Sequence, residues 1–139
     1  MTLEHAAIWT DQLEKLKDYY VKYFGGTPND KYTNPAKQFQ SYFLSFPDKG
    51  SAPGAGARLE IMSMIGVPAN LNDTIIKQHT GIIHLAFGVN SIEEVEEKAK
   101  ELISAGFPIL SGPRKTGDGY YEFETLDPDD NRIEVTYKL

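Results

Sequence analysis

Two histidines and two glutamates occupy matching places in the two halves of this 139-residue chain: His5 and Glu60 in the first, His84 and Glu134 in the second. Neutral imidazole suits zinc, nickel, copper and iron, and a carboxylate adds the negative charge that neutralises a divalent ion. A set of two His and two Glu leaves two positions of an octahedron open, which suits a catalytic centre better than a closed structural one. Taken singly, these residues are weak signals. A lone strand histidine is more often a hydrogen-bonded core residue, and a lone strand glutamate usually faces solvent. The metal reading rests on four such residues recurring at equivalent places. His79 lies outside the pattern and reads as a surface residue.

The elements that must carry these residues follow from local pattern. Residues 3–10 read as a strand bearing His5. Asp11 and Glu14 form a D-x-x-E capping box. Leu13, Leu16, Tyr20 and Phe24 recur behind it at helical spacing, and Gly25-Gly26 stops the helix. A short strand is expected near residues 30–33, an aromatic one over 39–46, and another over 57–64 bearing Glu60. Residues 47–56, rich in Gly, Pro and Ser, read as a loop. An irregular linker with one helical turn spans 65–80.

Then the pattern restarts. A strand over 81–89 bears His84. Ser91 and Glu94 form a second capping box. Ile92, Val95, Ala99, Leu102 and Ile103 make a second helical stripe, which Gly106 ends. Strands are expected over 107–110, 119–126 and 132–138, with a tight turn at 127–131. Gly112-Pro113-Arg114-Lys115, with Gly117 and Gly119, reads as a glycine-rich turn in preference to a mobile, cationic loop over a site. Strand, helix and three strands thus occur twice, a duplication of a unit of about 60–70 residues.

Strand alternation sorts the side chains between faces. Leu59, Ile61, Ile83, Leu85, Phe87, Ile133 and Val135 turn towards the helices. His5 (with Ala7 and Trp9), Glu60, His84 and Glu134 turn to the opposite, concave side. Four strands then aim two His and two Glu at one surface. Trp9 is either core or the wall of a substrate pocket. Phe39, Tyr42, Phe43 and Phe46 read as core, and the run Glu93, Glu94, Glu96, Glu97 as a solvated helix face.

Composition narrows the partners. Hydrophobic residues are 40% and charged residues 24%, an ordinary globular balance that excludes a disordered chain. One domain over residues 1–139 is long enough to bury a core. The absence of cysteine removes disulfides, thiolate nucleophiles and cysteine metal sites. A net charge of −6 argues against nucleic acid as a partner. No apolar run approaches the ~20 residues that span a bilayer, and residues 1–8 lack the pattern of a signal peptide. The expectation is a cytoplasmic protein with a small-molecule substrate, no nucleic acid and no membrane.

The whole chain resembles the glyoxalase / bleomycin-resistance / extradiol-dioxygenase family, the vicinal oxygen chelate superfamily. The resemblance is carried by His5 before the Asp11 helix, by Leu59-Glu60-Ile61, by Ile83-His84-Leu85-Ala86-Phe87, and by Asp127-Pro-Asp-Asp-Asn131 leading into Ile133-Glu134-Val135. It implies an α+β fold of two βαβββ modules, residues 1–64 and 81–139, forming a cupped mixed sheet with helices outside. It also implies a divalent metal held by His5, Glu60, His84 and Glu134. The four-residue pattern is similar to bacterial glyoxalase I (lactoylglutathione lyase), which favours Ni or Co; Zn fits the same ligand types. That implies a metal-dependent lyase or isomerase moving a proton next to a carbonyl of a small substrate or a thiol hemithioacetal, with Glu134 as base and Glu60 as its partner. It further implies a homodimer. Two alternatives stand beside it: an acyl-CoA epimerase of the methylmalonyl-CoA epimerase type, and a non-catalytic small-molecule (drug) binding protein. Glutathione-using members commonly carry arginine four positions after the first His, where this chain has Trp9.

Overall fold

A computed structural model describes residues 3–46, 56–71, 73, 75 and 77–139. The chain forms two compact units, residues 1–70 and 71–139. Unit 1 contains β1 (His5–Trp9), α1 (Leu13–Phe24), β2 (Thr27–Pro28), β3 (Tyr32–Asn34), β4 (Phe39–Ser45) and β5 (Arg58–Met64). Its sheet runs β1-β5-β4-β2, with β3 also paired to β4. β1 lies parallel to β5, and the other pairings are antiparallel. The single short strand expected near residues 30–33 is thus two short strands sharing one edge of β4.

Helix α1 packs on β4 and β5. It buries Leu13, Leu16, Tyr19 and Tyr20, and the strands bury Leu44, Leu59 and Ile61. Tyr19 takes a place in the core that the helical spacing gave to Phe24, which is half-buried. Asp11 does not cap the helix. Gln12 is the N-cap residue and makes no side-chain cap bond. The Thr10 hydroxyl already accepts the Gln12 N–H at 2.9 Å, and Glu14 is drawn off to the ammonium of Lys31 at 2.8 Å and the hydroxyl of Tyr42 at 3.2 Å. The expected stop is present: Gly25 has φ +69°, and the Gly26 N–H reaches the Tyr20 carbonyl at 3.1 Å.

Unit 2 contains β6 (Leu85–Gly88), α2 (Ile92–Ser104), β7 (Ile109–Lys115), β8 (Tyr120–Leu126) and β9 (Arg132–Lys138). Its sheet runs β6-β9-β8-β7, again with the first strand parallel to the last. The duplication therefore holds at the level of topology: two mixed sheets, each with one helix. Ser91 caps α2, its hydroxyl accepting the Glu94 N–H at 3.2 Å. The Glu94 carboxylate reaches back to the Asn90 N–H at 2.9 Å, one residue upstream of a full capping box. Val95, Ala99 and Leu102 are buried over Phe123, Ile133 and Val135, while Ile92 and Ile103 are exposed. The buried stripe is narrower than the periodicity suggests.

Residues 112–115 are not a turn. They lie within β7, which is antiparallel to β8 with register shifts between Ile109 and Ser111 and between Ser111 and Arg114. β7 is an edge strand, where proline's missing N–H costs little and a bulge absorbs the irregularity. The turn at 127–131 is as expected. The buried Asp127 carboxylate accepts the N–H groups of Asp129 and Asn131 and the Asn131 side-chain amide, each at 2.9 Å. In the linker, the Lys77 N–H donates to the Asp73 carbonyl at 3.2 Å. The loop expected over 47–56 lies, except for Gly56, outside the described residues. Among the described residues no helix is long and apolar enough to cross a membrane.

Candidate metal centre

Parallel pairing in unit 1 sets His5 opposite Arg58 and Ala7 opposite Glu60. His5 and Glu60 are therefore diagonal neighbours on one face, a separation that long side chains bridge. Alternation turns His5, Ala7 and Trp9 outward along β1, and Leu59 and Ile61 are buried on either side of Glu60. His5 Nε2 stands 3.9 Å from Glu60 Oε2. The other ring nitrogen, Nδ1, is bonded to the Glu4 carboxylate, which also accepts from the Arg58 guanidinium. The Glu4 carboxyl is held below its ordinary value, chiefly by the bond to His5, with Arg58 adding to it against a desolvation cost. The contact of Nδ1 with Glu4 fixes the ring so that Nε2 stands on the side of Glu60.

The same diagonal recurs in unit 2. Ala86 is opposite Glu134, and His84 stands two residues before Ala86, just ahead of the first ladder residue of a strand shorter than expected. His84 Nε2 is 3.8 Å from Glu134 Oε2, with side chains 33% and 15% exposed. The sequence pattern thus brings together His5 with Glu60, and His84 with Glu134, each pair within its own unit.

A further carboxylate on this face has no carboxylate counterpart in the other half. Glu124 on β8 is directly opposite Glu134 on β9. One donor atom from each of His84, Glu124 and Glu134 lies within 4.8 Å of the others. Alternation along β8 was the available signal, since buried Phe123 and Thr125 leave Glu122 and Glu124 on the face of Glu134. The counterpart of Glu124 in unit 1 is Phe43, which is opposite Glu60, so matching the halves does not mark it.

Charge on this face is unevenly compensated. Arg114 is 3.6 Å from Glu122 and Arg132 is 3.8 Å from Glu124. Glu134 faces His84. Its carboxyl is pushed above the ordinary carboxylate value, first by burial and then by the charge of Glu122; His84 opposes this, Glu124 adds to it and Arg114 opposes it. Among the described residues no hydrogen bond reaches the carboxylate of Glu60 or Glu134.

These donors fit a divalent ion. Zinc binds imidazole nitrogen and carboxylate oxygen at about 2.0–2.2 Å, so two donors on one ion stand roughly 3 Å apart at right angles and about 4 Å apart when opposed. Separations of 3.9 and 3.8 Å fall in that interval. The half-buried carboxylates also want a cation, which their surroundings supply only in part.

A family model described as the Glyoxalase/Bleomycin resistance protein/Dioxygenase superfamily matches residues 2–135. No curated protein matches the chain in sequence. Among solved structures, the chain is similar to a glyoxylase/bleomycin resistance protein/dioxygenase domain from Frankia sp. EAN1pec, with 15% identity, a TM-score of 0.76, and 100% of this chain and 98% of that one covered. It is similar to the trypanothione-dependent glyoxalase I of Leishmania major, at 21% identity and a TM-score of 0.75, covering 99% of this chain and 86% of that one. It is also similar to lactoylglutathione lyase from Agrobacterium tumefaciens, at 19% identity and a TM-score of 0.63, covering 98% of this chain and 92% of that one. At these identities the likeness speaks for the fold.

Proposed function

The chain belongs to the Glyoxalase/Bleomycin resistance protein/Dioxygenase superfamily, and from that premise we propose that it is a metal-dependent lyase or isomerase of the glyoxalase I type. Its reaction moves a proton next to a carbonyl of a small substrate or a thiol hemithioacetal. The observation that carries this reading is the repeated diagonal pair: an imidazole Nε2 facing a carboxylate oxygen at 3.9 Å in unit 1 and 3.8 Å in unit 2. His5, Glu60, His84 and Glu134 are the donors, and the protein acts as a homodimer. When bound, a divalent ion such as nickel, cobalt or zinc supplies a Lewis acid for substrate oxygens.

The chain's own residues do the rest. Glu134 takes the proton from the carbon beside the carbonyl and returns it, with Glu60 as its partner. Glu4 orients the His5 ring through Nδ1.

The test is metal content together with solvent-deuterium incorporation on a panel of α-carbonyl substrates. His84→Ala is expected to lose metal. Glu134→Gln is expected to keep most of its metal while turnover falls by ~10²–10⁴-fold. Unchanged metal content in both His84→Ala and Glu134→Ala sinks the reading. A second reading, a non-catalytic binder of small aromatic molecules, is favoured by Trp9. The residue is 43% exposed on the outward side of β1, its ring edge-on to Phe39 at 5.9 Å. Ligand binding that survives chelation, without proton exchange, would favour that reading.

A further inference from the structure

The duplication is broken at one position of the candidate centre. Across β4 and β5, Glu60 is opposite Phe43; across β8 and β9, Glu134 is opposite Glu124. Phe43 offers no donor. Its ring is edge-on to His5 at 5.3 Å and carries the Arg58 guanidinium at 4.3 Å. Glu124 instead brings a second carboxylate, 20% exposed, to the same cross-strand place. Directly opposed like charges destabilise a strand pair. The sheet nonetheless holds these two together, with the imidazole of His84 completing a cluster whose donor atoms lie within 4.8 Å of one another.

Arg132 relieves part of the repulsion, and its position matters. It is 4% exposed, donates to the Ile75 carbonyl at 3.5 Å, and approaches Glu124 through Oε1 at 3.8 Å. A carboxylate has two oxygens, so Oε2 of Glu124 remains for another partner. We propose that Glu124 is a metal donor, so that unit 2 carries a three-donor set, His84, Glu124 and Glu134, able to hold a divalent cation without His5 and Glu60. One neutral imidazole and two carboxylates carry a charge that balances a divalent ion. Their oxygen majority favours harder ions such as Mn²⁺ over soft ones. This rests on the metal-centre reading above and adds a residue that the duplicated pattern does not contain.

The experiment uses the full chain, stripped with chelator and titrated with Co²⁺ and with Mn²⁺ by calorimetry, while the Co²⁺ d–d absorption is recorded. The proteins are the wild type, Glu124→Gln, His84→Ala, and a His5→Ala/Glu60→Ala double variant with and without Glu124→Gln. Glutamine keeps an oxygen for Arg132. Glu124→Phe, which installs the residue of the other half, serves if the glutamine variant does not fold. The double variant is expected to bind one ion per chain. Glu124→Gln is expected to weaken binding by about 10–100-fold in either background, at least what loss of an outer-shell partner costs, and to change the Co²⁺ spectrum. A merely structural role would lower the melting temperature and leave the spectrum alone. Two results overturn the proposal: no binding by the double variant, or unchanged affinity and spectrum in Glu124→Gln while His84→Ala loses metal. The second leaves the four-residue reading standing. Double-variant affinity equal to wild type, with Glu124→Gln weakened, sinks the four-residue reading and upholds this one.

Discussion

Glu134→Gln in the metal-free protein removes one charge without changing shape, and the structure sets the sign of its effect on stability. Burial and Glu122 raise the Glu134 carboxyl above its ordinary value, and Glu124 adds to the rise. As pH rises, this carboxyl therefore ionises in the unfolded chain before it does so in the folded one. Between the two pKa values the folded chain holds more protons, so stability falls with pH, and above both it stays at the lower level. Glutamine removes that slope. A like-charged cross-strand neighbour costs about 0.2–1 kcal/mol. Glu124 is opposite Glu134, and Glu122 is opposite Thr136, two residues on. With His84 offsetting part of this, Glu134→Gln is expected to stabilise the chelated protein at pH 7 by on the order of 1 kcal/mol, about 4 °C in melting temperature. Below the ordinary carboxylate range the two proteins should melt together. Metal reverses the order, because a ligand that binds only the folded state at a hundred times its Kd adds about 2.7 kcal/mol, and the variant has lost a charged donor. The assay is thermal unfolding from about pH 4 to 8, with chelator and with Co²⁺. The reasoning is refuted if the chelated variant is no more stable than wild type at pH 7, or if the difference does not shrink with falling pH.

The remaining expectations concern the scaffold. Ser91→Ala should cost about 1 kcal/mol, because the hydroxyl caps α2, whereas Asp11→Ala should stay within about 0.5 kcal/mol because Asp11 caps nothing; paired urea melts compare them. Gly112→Ala should destabilise by about 1–3 kcal/mol, since a Cβ there, at φ +80°, would sit 2.5 Å from the Glu122 carbonyl oxygen. An unfolding midpoint equal to wild type would contradict that close approach.

Most of the architecture was legible where a single physical cause sets the local structure. Leu59 and Ile61 flank Glu60, and Ile133 and Val135 flank Glu134, so one period-2 pattern identifies both the strand and its buried face. Gly25 and Gly106 end helices because the left-handed conformation is cheap only for glycine, and both have positive φ. Legibility failed where a tertiary partner outbid a local signal. Asp11 and Glu14 spell a capping box, but Thr10, Lys31 and Tyr42 decide what those backbone and side-chain groups bond. Gly112 and Pro113 spell a turn, but an edge strand tolerates both. Within each unit the pairs His5 with Glu60 and His84 with Glu134 stood out because they recur. Glu124 did not, because its effect depends on pairing with Glu134 across a ladder that a duplication of ligand types does not encode.

The two kinds of position on each unit's outer face are constrained by different parts of the fold. Each His–Glu pair lies across the parallel strands β1 and β5, or across β9 and the residue leading into β6, and the register of those strands is pinned by the core beneath. A slip of one residue would turn Leu59 and Ile61, or Ile133 and Val135, out to the opposite face. The separations of 3.9 and 3.8 Å are therefore consequences of helix-on-sheet packing, which is why two units of different sequence arrive at nearly the same value. The third position, on β4 or β8, points away from that core and does not set the register. It is free to be Phe43 in one unit and Glu124 in the other. A different side chain can thus enter at the antiparallel neighbour of the glutamate strand without disturbing either diagonal, as Phe43 opposite Glu60 and Glu124 opposite Glu134 illustrate.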